Sequence, residues 1–177
     1  MVNAAELPDH IREFQAALEF PQGIEVLNGC HFLISPPKVN ASDYHKRKGW
    51  YSIILPVLVD HWYRFRYLNV GTPGQCHDAP VYRRPALAAV LEGRTLQMPM
   101  VTVNGTTVPP LILCDQAFHL ISNMLKPYPR KNVKKGSPLE DFNRQLSSAR
   151  RVVENDFGRV KARFRFIMKR MECEMPR

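Results

Sequence analysis

The chain has 177 residues, 45% of them hydrophobic, enough for one domain with its own core and too apolar for wholesale disorder. Its formal net charge is +9, with residues 1–125 holding 10 Lys/Arg against 10 Asp/Glu and residues 126–177 holding 15 against 6. No stretch approaches about 18 uninterrupted apolar residues, which excludes a membrane-spanning helix, and the polar start lacks a signal-peptide pattern. The four cysteines, Cys30, Cys76, Cys114 and Cys173, form no C-x-x-C pair and fit free thiols better than a disulfide framework or a zinc site. The basic excess in the last third points to an anionic partner, nucleic acid foremost, and on charge alone a solvated basic helix explains it equally well.

Residues 5–19 predict a short amphipathic helix with Ile11, Phe14, Ala17 and Leu18 on one face, ended by Pro21 and Gly23. Residues 24–34 read as one strand or two. Ile24, Val26, Cys30, Phe32 and Ile34 share a face under period 2, and Asn28 interrupts that series. Residues 35–50 are a loop by composition. Residues 52–60 predict a strand buried on both faces, although Pro56 cannot donate to a ladder. Residues 65–70 complete an antiparallel hairpin with it. A Gly/Pro turn opens residues 71–93, and Asp78 and Pro80 are placed to start a helix that Gly93 ends. The second Asn-Gly, at 104–105, predicts a small hairpin.

Residues 111–118 read as a buried strand with Asp115 at its C-terminal end, where open α/β sheets keep their sites. A basic, proline-bearing loop covers 126–138. From Leu139 the pattern is helical, with Leu146, Ala149, Val153, Phe157, Val160, Phe164 and Ile167 in one apolar stripe. Gly158, inside that helix, costs roughly 1 kcal/mol against alanine and so predicts a close packing contact. Antiparallel strands, a helix, a strand and a long helix give an α/β fold, a mixed sheet flanked by helices.

Asp115 and Glu154 are the candidate chemistry. Two carboxylates brought together from a strand end and a helix suit a hard cation, Mg²⁺ or Mn²⁺, and a pair of such ions about 3.5–4 Å apart can stabilise the attacking and leaving oxygens of a phosphodiester. Blander readings stand beside this one. Asp115 can cap the turn after its strand, Glu154 can pair with Arg150 or Arg151, and Asn28-Gly29 can be a type I′ turn.

The segments NGCHF, KGWYSIILPVLVDHWYRFRYLNVGTPGQCHDAPVY, LCDQAF and FNRQLSSARRVVENDFGRVKARFR occur in this order over most of residues 20–170. They resemble the catalytic domain of PIF/Harbinger transposases and their domesticated relatives. The resemblance implies a ribonuclease-H-like fold with a DDE site that holds Mg²⁺ or Mn²⁺. Its second Asp corresponds to Asp115, its Glu to Glu154, and its first Asp to Asn28. His77 and Asp78 match a supporting feature near that site, and Asp60 and Asp78 are better placed than Glu25 to stand in for the missing carboxylate. DNA contacts are expected from Lys131, Lys134, Lys135, Arg159, Lys161 and Arg163. The resemblance further implies a Myb-like DNA-binding protein as partner and a nuclear, and cytoplasmic, location. It divides the chain into an N-terminal linker helix, 1–20, and a catalytic domain, 21–170, shortened at its C-terminal end. Asn28 makes the expected enzyme an impaired one; the other reading is a non-catalytic DNA-binding or protein-interaction remnant.

Overall fold

The structure is a computed structural model that describes residues 5–46, 49–75, 100–103, 105–118 and 120–172. Helix α1 (Leu7–Leu18) has Pro8 in its first turn, where a missing N–H costs nothing, and buries Leu7, Ile11 and Phe14. It stops where Glu19 turns left-handed at φ 55°, its N–H donating to the Gln15 carbonyl.

Strand β1 (Gly23–Leu33) is one continuous strand. The Asn28-Gly29 pair does not turn. Asn28 lies opposite Val57 and Gly29 opposite Pro56 of β3 (Trp50–Val59), in an unbroken antiparallel register from Val26 to Leu33. Neither residue has the positive φ that a type I′ turn needs. The apolar residues on both sides find partners on β3, and that pairing overrides the local turn preference. The alternation expected from Ile24 onward breaks at its start. The register with β8 (Leu111–Leu113) shifts between Gly23 and Glu25, so Ile24 packs with Leu27 while Val26 joins the opposite face.

The mixed sheet runs β2 (His45–Lys46), β3, β1, β8, β9 (Met124–Leu125), with β1–β8 and β8–β9 parallel. A four-residue helix, α2 (Ala41–Tyr44), leads into β2. On the other side of β3 lie β4 (Phe65–Leu68), which completes the predicted hairpin, and β5 (Thr72–Pro73). Pro56 falls between the β5 partners Ile53 and Ile54 and the β4 partners Val57 to Val59, so the imino acid sits where the neighbouring strand is interrupted. The small hairpin expected around 104–105 is present, β6 (Val101–Val103) pairing antiparallel with β7 (Thr106–Val108), with Gly105 at φ 78° and position 104 outside the described residues. The helix expected within 71–93 lies outside the described residues from position 76 onward.

Helices cover the sheet. Leu7 and Ile11 of α1 pack on Ile24, Leu27, Ile54, Leu58 and Ile112. On the opposite face, Leu146, Ala149, Val153 and Phe157 of α3 (Pro138–Arg163) pack on Val26, Val57, Val59 and Leu113. This mixed sheet between helices is a ribonuclease-H-like arrangement. Helix α3 starts with a capping box. Ser137 Oγ accepts the Glu140 N–H at 3.4 Å, and the Glu140 carboxylate reaches back to the Gly136 N–H at 2.6 Å.

Two expectations for this helix need correction. The apolar stripe does not continue to Ile167 as helix. The helix ends at Arg163, Phe164 is 50% exposed, and Ile167 sits in a 3₁₀ turn packed on the Phe32, Ile34 and Ile53 cluster. The chain redirects there because Met171 bridges to Ile34, and both Met171 and Ser35 exchange backbone bonds across that junction. Gly158 makes no close contact. It is exposed, and a Cβ built on it meets nothing within 4 Å, so its helix-propensity cost is not offset by packing.

Candidate nuclease site

Asn28 lies directly opposite Val57, so both side chains emerge on the α3 face of the sheet. Val26, two residues earlier, pairs in register with Leu113, and both also face α3. Asp115 is two residues beyond Leu113 as Asn28 is two beyond Val26. The parallel register thus sets both two residues past one paired position, Asn28 within β1 and Asp115 just beyond the end of β8. Each is already engaged locally. Gly29 N–H donates to Asn28 Oδ1 at 2.8 Å, and Ala117 N–H donates to Asp115 Oδ1 at 2.9 Å. The turn-capping reading of Asp115 is therefore correct, and it leaves Oδ2 for other work.

Glu154 is exposed on α3, beside the buried Val153 and Phe157. Residues 150, 154 and 161 share one flank of the helix. At one end of that flank Arg150 acts electrostatically on Cys114, the neighbour of Asp115. At the other end Lys161 Nζ lies 5.7 Å from the Phe32 ring, four residues beyond Asn28. Glu154 stands between them along the helix and lines a groove with Leu18 and Glu19 at the end of α1. Neither arginine one turn earlier pairs with it among the described residues; Arg151 turns to Ser148 Oγ at 2.6 Å instead.

Two open grooves run side by side along this helix and share Arg144, Ser147 and Arg150. Glu154 lines one, and Asp115 the other. Arg150 thus stands between the two carboxylates, a position that α-helical periodicity alone does not reveal. Burial, aided by the Asp115 charge, pushes the Cys114 thiol up to about 12, which keeps it protonated and out of nucleophilic chemistry.

The other acids near β1 have structural duties. Asp60 is fully buried and closes the β3–β4 turn, accepting the Trp62 and Arg64 N–H groups and the Arg64 guanidinium at 2.8–3.0 Å. Glu25 pairs in register with Ile112, on the face opposite Asn28, and lies 3.9 Å from Arg66. Burial raises its carboxyl to about 7 against the partial relief from Arg66. A carboxyl raised in the folded state favours folding below its unfolded value of 4.5, and that contribution is lost as pH climbs toward 7. Glu25→Gln is expected to flatten the fall in unfolding free energy between pH 4.5 and 7, by ~3 kcal/mol at most. Urea midpoints measured across that range check it; equal pH slopes in both proteins would sink the assignment.

Of the basic residues, Lys131 lies in a 3₁₀ turn (Arg130–Asn132), and Lys134 and Lys135 are exposed just before α3. Arg159 is on the opposite flank from Glu154, its guanidinium 3.8 Å from the Tyr63 ring and beside the buried Asp156, whose carboxyl burial raises. Arg163 is exposed at the helix end. His77 and Asp78 lie outside the described residues. Sequence reasoning passed over Tyr128, and took Arg150 only as a possible partner of Glu154. Their only advance signal was an aromatic residue within the basic 126–138 loop and a basic residue on the helix after it.

DDE-type endonuclease domains generally use divalent cations. The donors present do not fit a two-cation centre. They are two carboxylates and one neutral amide whose oxygen is bonded to Gly29, and among the described residues no group of three or more His, Cys, Asp or Glu is arranged to hold a metal ion. Among the described residues no helix is long and apolar enough to cross a membrane. No curated protein and no solved structure matches the chain. Residues 27–177, from the middle of β1 to the last residue given, match the family described as DDE superfamily endonuclease. A match over that much of the chain settles the kinship: this is a member of the DDE superfamily endonuclease family, a transposase-derived, nuclease-like domain.

Proposed function

We propose that the chain is a DNA-binding domain of the PIF/Harbinger type whose cleavage centre is impaired, with residues 21–170 as its catalytic unit. One observation supports the reading: the parallel register pairs Val26 with Leu113, so Asn28 and Asp115 each follow a paired residue by two on adjacent segments, with Asn28 on the face that α3 covers. Asp115 and Glu154 are the catalytic and metal-binding acids that remain, and with Asn28 as a neutral third ligand they hold Mg²⁺ or Mn²⁺ weakly. The basic residues Lys131, Lys134, Lys135, Lys161 and Arg163 supply phosphate contacts, which give affinity without reading sequence. Arg159, stacked on Tyr63, contributes potential rather than a free contact. His77 and Asp78 support the site, a Myb-like protein supplies target recognition, and the work is done in the nucleus. A non-catalytic remnant shares the DNA binding and lacks any latent cleavage.

The expected behaviour is salt-sensitive binding to labelled duplex DNA with little or no cutting in Mn²⁺. Each phosphate neutralised contributes a slope of about −0.9 in log K against log salt, so charge removal at Lys134 and Lys135 together lowers the slope by up to about 2. Binding that ignores salt would remove the electrostatic basis of the reading.

A further inference from the structure

We infer that the groove beside Asp115 binds an unpaired stretch of DNA, with Tyr128 stacking on a base and Arg150 holding a neighbouring phosphate. The inference rests on the DNA-binding reading and adds to it the form of DNA and the residues that take it. The groove encloses about 810 Å³, the range of an ordinary ligand site and room for one or two nucleotides. Its wall carries three arginines, Arg130, Arg144 and Arg150, against two carboxylates, Asp115 and Glu140, a net positive lining.

Arg150 is the residue that asks for a ligand. Its Nε is buried without a hydrogen-bond partner, and no carboxylate pairs with its guanidinium among the described residues. A half-buried guanidinium with no carboxylate partner is costly, and a phosphate oxygen in the groove would pair with its outer nitrogens. Arg144, by contrast, is tied to Asp141 at 2.7 Å.

Tyr128 supplies the aromatic surface. It is 45% exposed, yet its backbone is fixed by two bonds to Asn143, N–H to Oδ1 at 2.8 Å and carbonyl from Nδ2 at 3.0 Å. One edge of its ring meets Phe142 at 5.4 Å between centroids. A rigid ring presented in a basic groove is the pattern that binds single strands, because only an unpaired base offers its face. A paired duplex hides those faces and uses the arginines alone.

The test is fluorescence anisotropy with a fluorescein-labelled oligothymidylate and a labelled duplex, against the whole chain. Native protein is expected to bind the single strand more tightly than Tyr128→Ala by about tenfold, with duplex affinity unchanged. Tyr128→Phe keeps the ring and is expected to bind as the native protein does, which excludes the hydroxyl as the source of affinity, while the unchanged duplex affinity of Tyr128→Ala excludes lost packing. Arg150→Gln is expected to lower the salt slope on the single strand by about 0.7, one phosphate. If Tyr128→Ala and Arg150→Gln both bind the oligothymidylate like the native chain, the groove assignment is overturned while duplex binding still supports the DNA reading. If the native chain binds neither probe, both readings fall together.

Discussion

Asn28→Asp is expected to cut labelled duplex DNA in Mn²⁺ at least ~10²-fold faster than the native chain, the scale of effect that a misplaced or missing ligand has on catalysis. The substitution is nearly isosteric and falls on a half-buried strand position, so the fold has little to lose. What changes is charge. An amide offers one neutral acceptor and a donor that repels a cation; a carboxylate offers two anionic oxygens, and one can keep the Gly29 N–H bond while the other is free. Adding Asp115→Ala to Asn28→Asp should return cleavage to background. Calorimetry with Mn²⁺ should show tighter binding to Asn28→Asp than to the native chain, and identical isotherms would put residue 28 outside the site. Equal cutting by native and Asn28→Asp proteins, lost with Asp115→Ala, would mean that another group replaces the missing acid. No cutting by any form would favour the remnant.

Gly23→Ala is expected to destabilise the protein by about 1–3 kcal/mol, read as a lower urea midpoint at an unchanged slope. A Cβ at Gly23 would overlap the Phe14 ring, which is fully buried where α1 meets the sheet. Phe14→Ala removes that ring and should cost about 3–5 kcal/mol on its own. The two are coupled through one contact. Gly23→Ala together with Phe14→Leu should therefore lose less than the two single substitutions added, because the smaller side chain vacates the space that the methyl needs. Strict additivity would show that Gly23 and Phe14 do not share that space. The pair matters for the family boundary as well, since both residues precede the matched segment, 27–177, and yet build the core with it.

Elements with strong periodicity or long apolar runs were legible. The strands at 24–34, 52–60 and 65–70, the hairpin around 104–105, and the long helix all correspond to elements of the structure. The two-residue strands β2, β5 and β9 were not legible, because two residues carry no period. The two Asn-Gly pairs show the limit most directly. At 104–105 the flanking strands are three residues each and pair with each other, and Gly105 takes a positive φ. At 28–29 the flanking residues pair with β3, far along the chain, and the same dipeptide stays extended. Local chemistry is alike; the partners differ. Asp115 and Glu154 were legible as acids at a strand end and on a helix flank. The meaning of Asn28 came from the surrounding motif, because no local rule marks an asparagine as a missing acid. Arg150 and Tyr128 were not legible, since their groove exists only where the loop before α3 folds back on the first turns of that helix.

The placement of α3 also sets an order of assembly. Val26, Val57 and Leu113 are made well before the helix that covers them, and until the last third of the chain leaves the ribosome their face of the sheet is covered in part by Phe14 and Phe20 and otherwise bare. Contacts that span most of a sequence close late and slowly, because the intervening chain must give up its freedom first. Until then a growing chain exposes an apolar sheet, the kind of surface that sticks to its neighbours. The helix that brings Glu154 to the site is thus the same one that ends this exposure. A chain stopped before residue 146 would lack the site and, more seriously for the cell that makes it, the lid over half of its core.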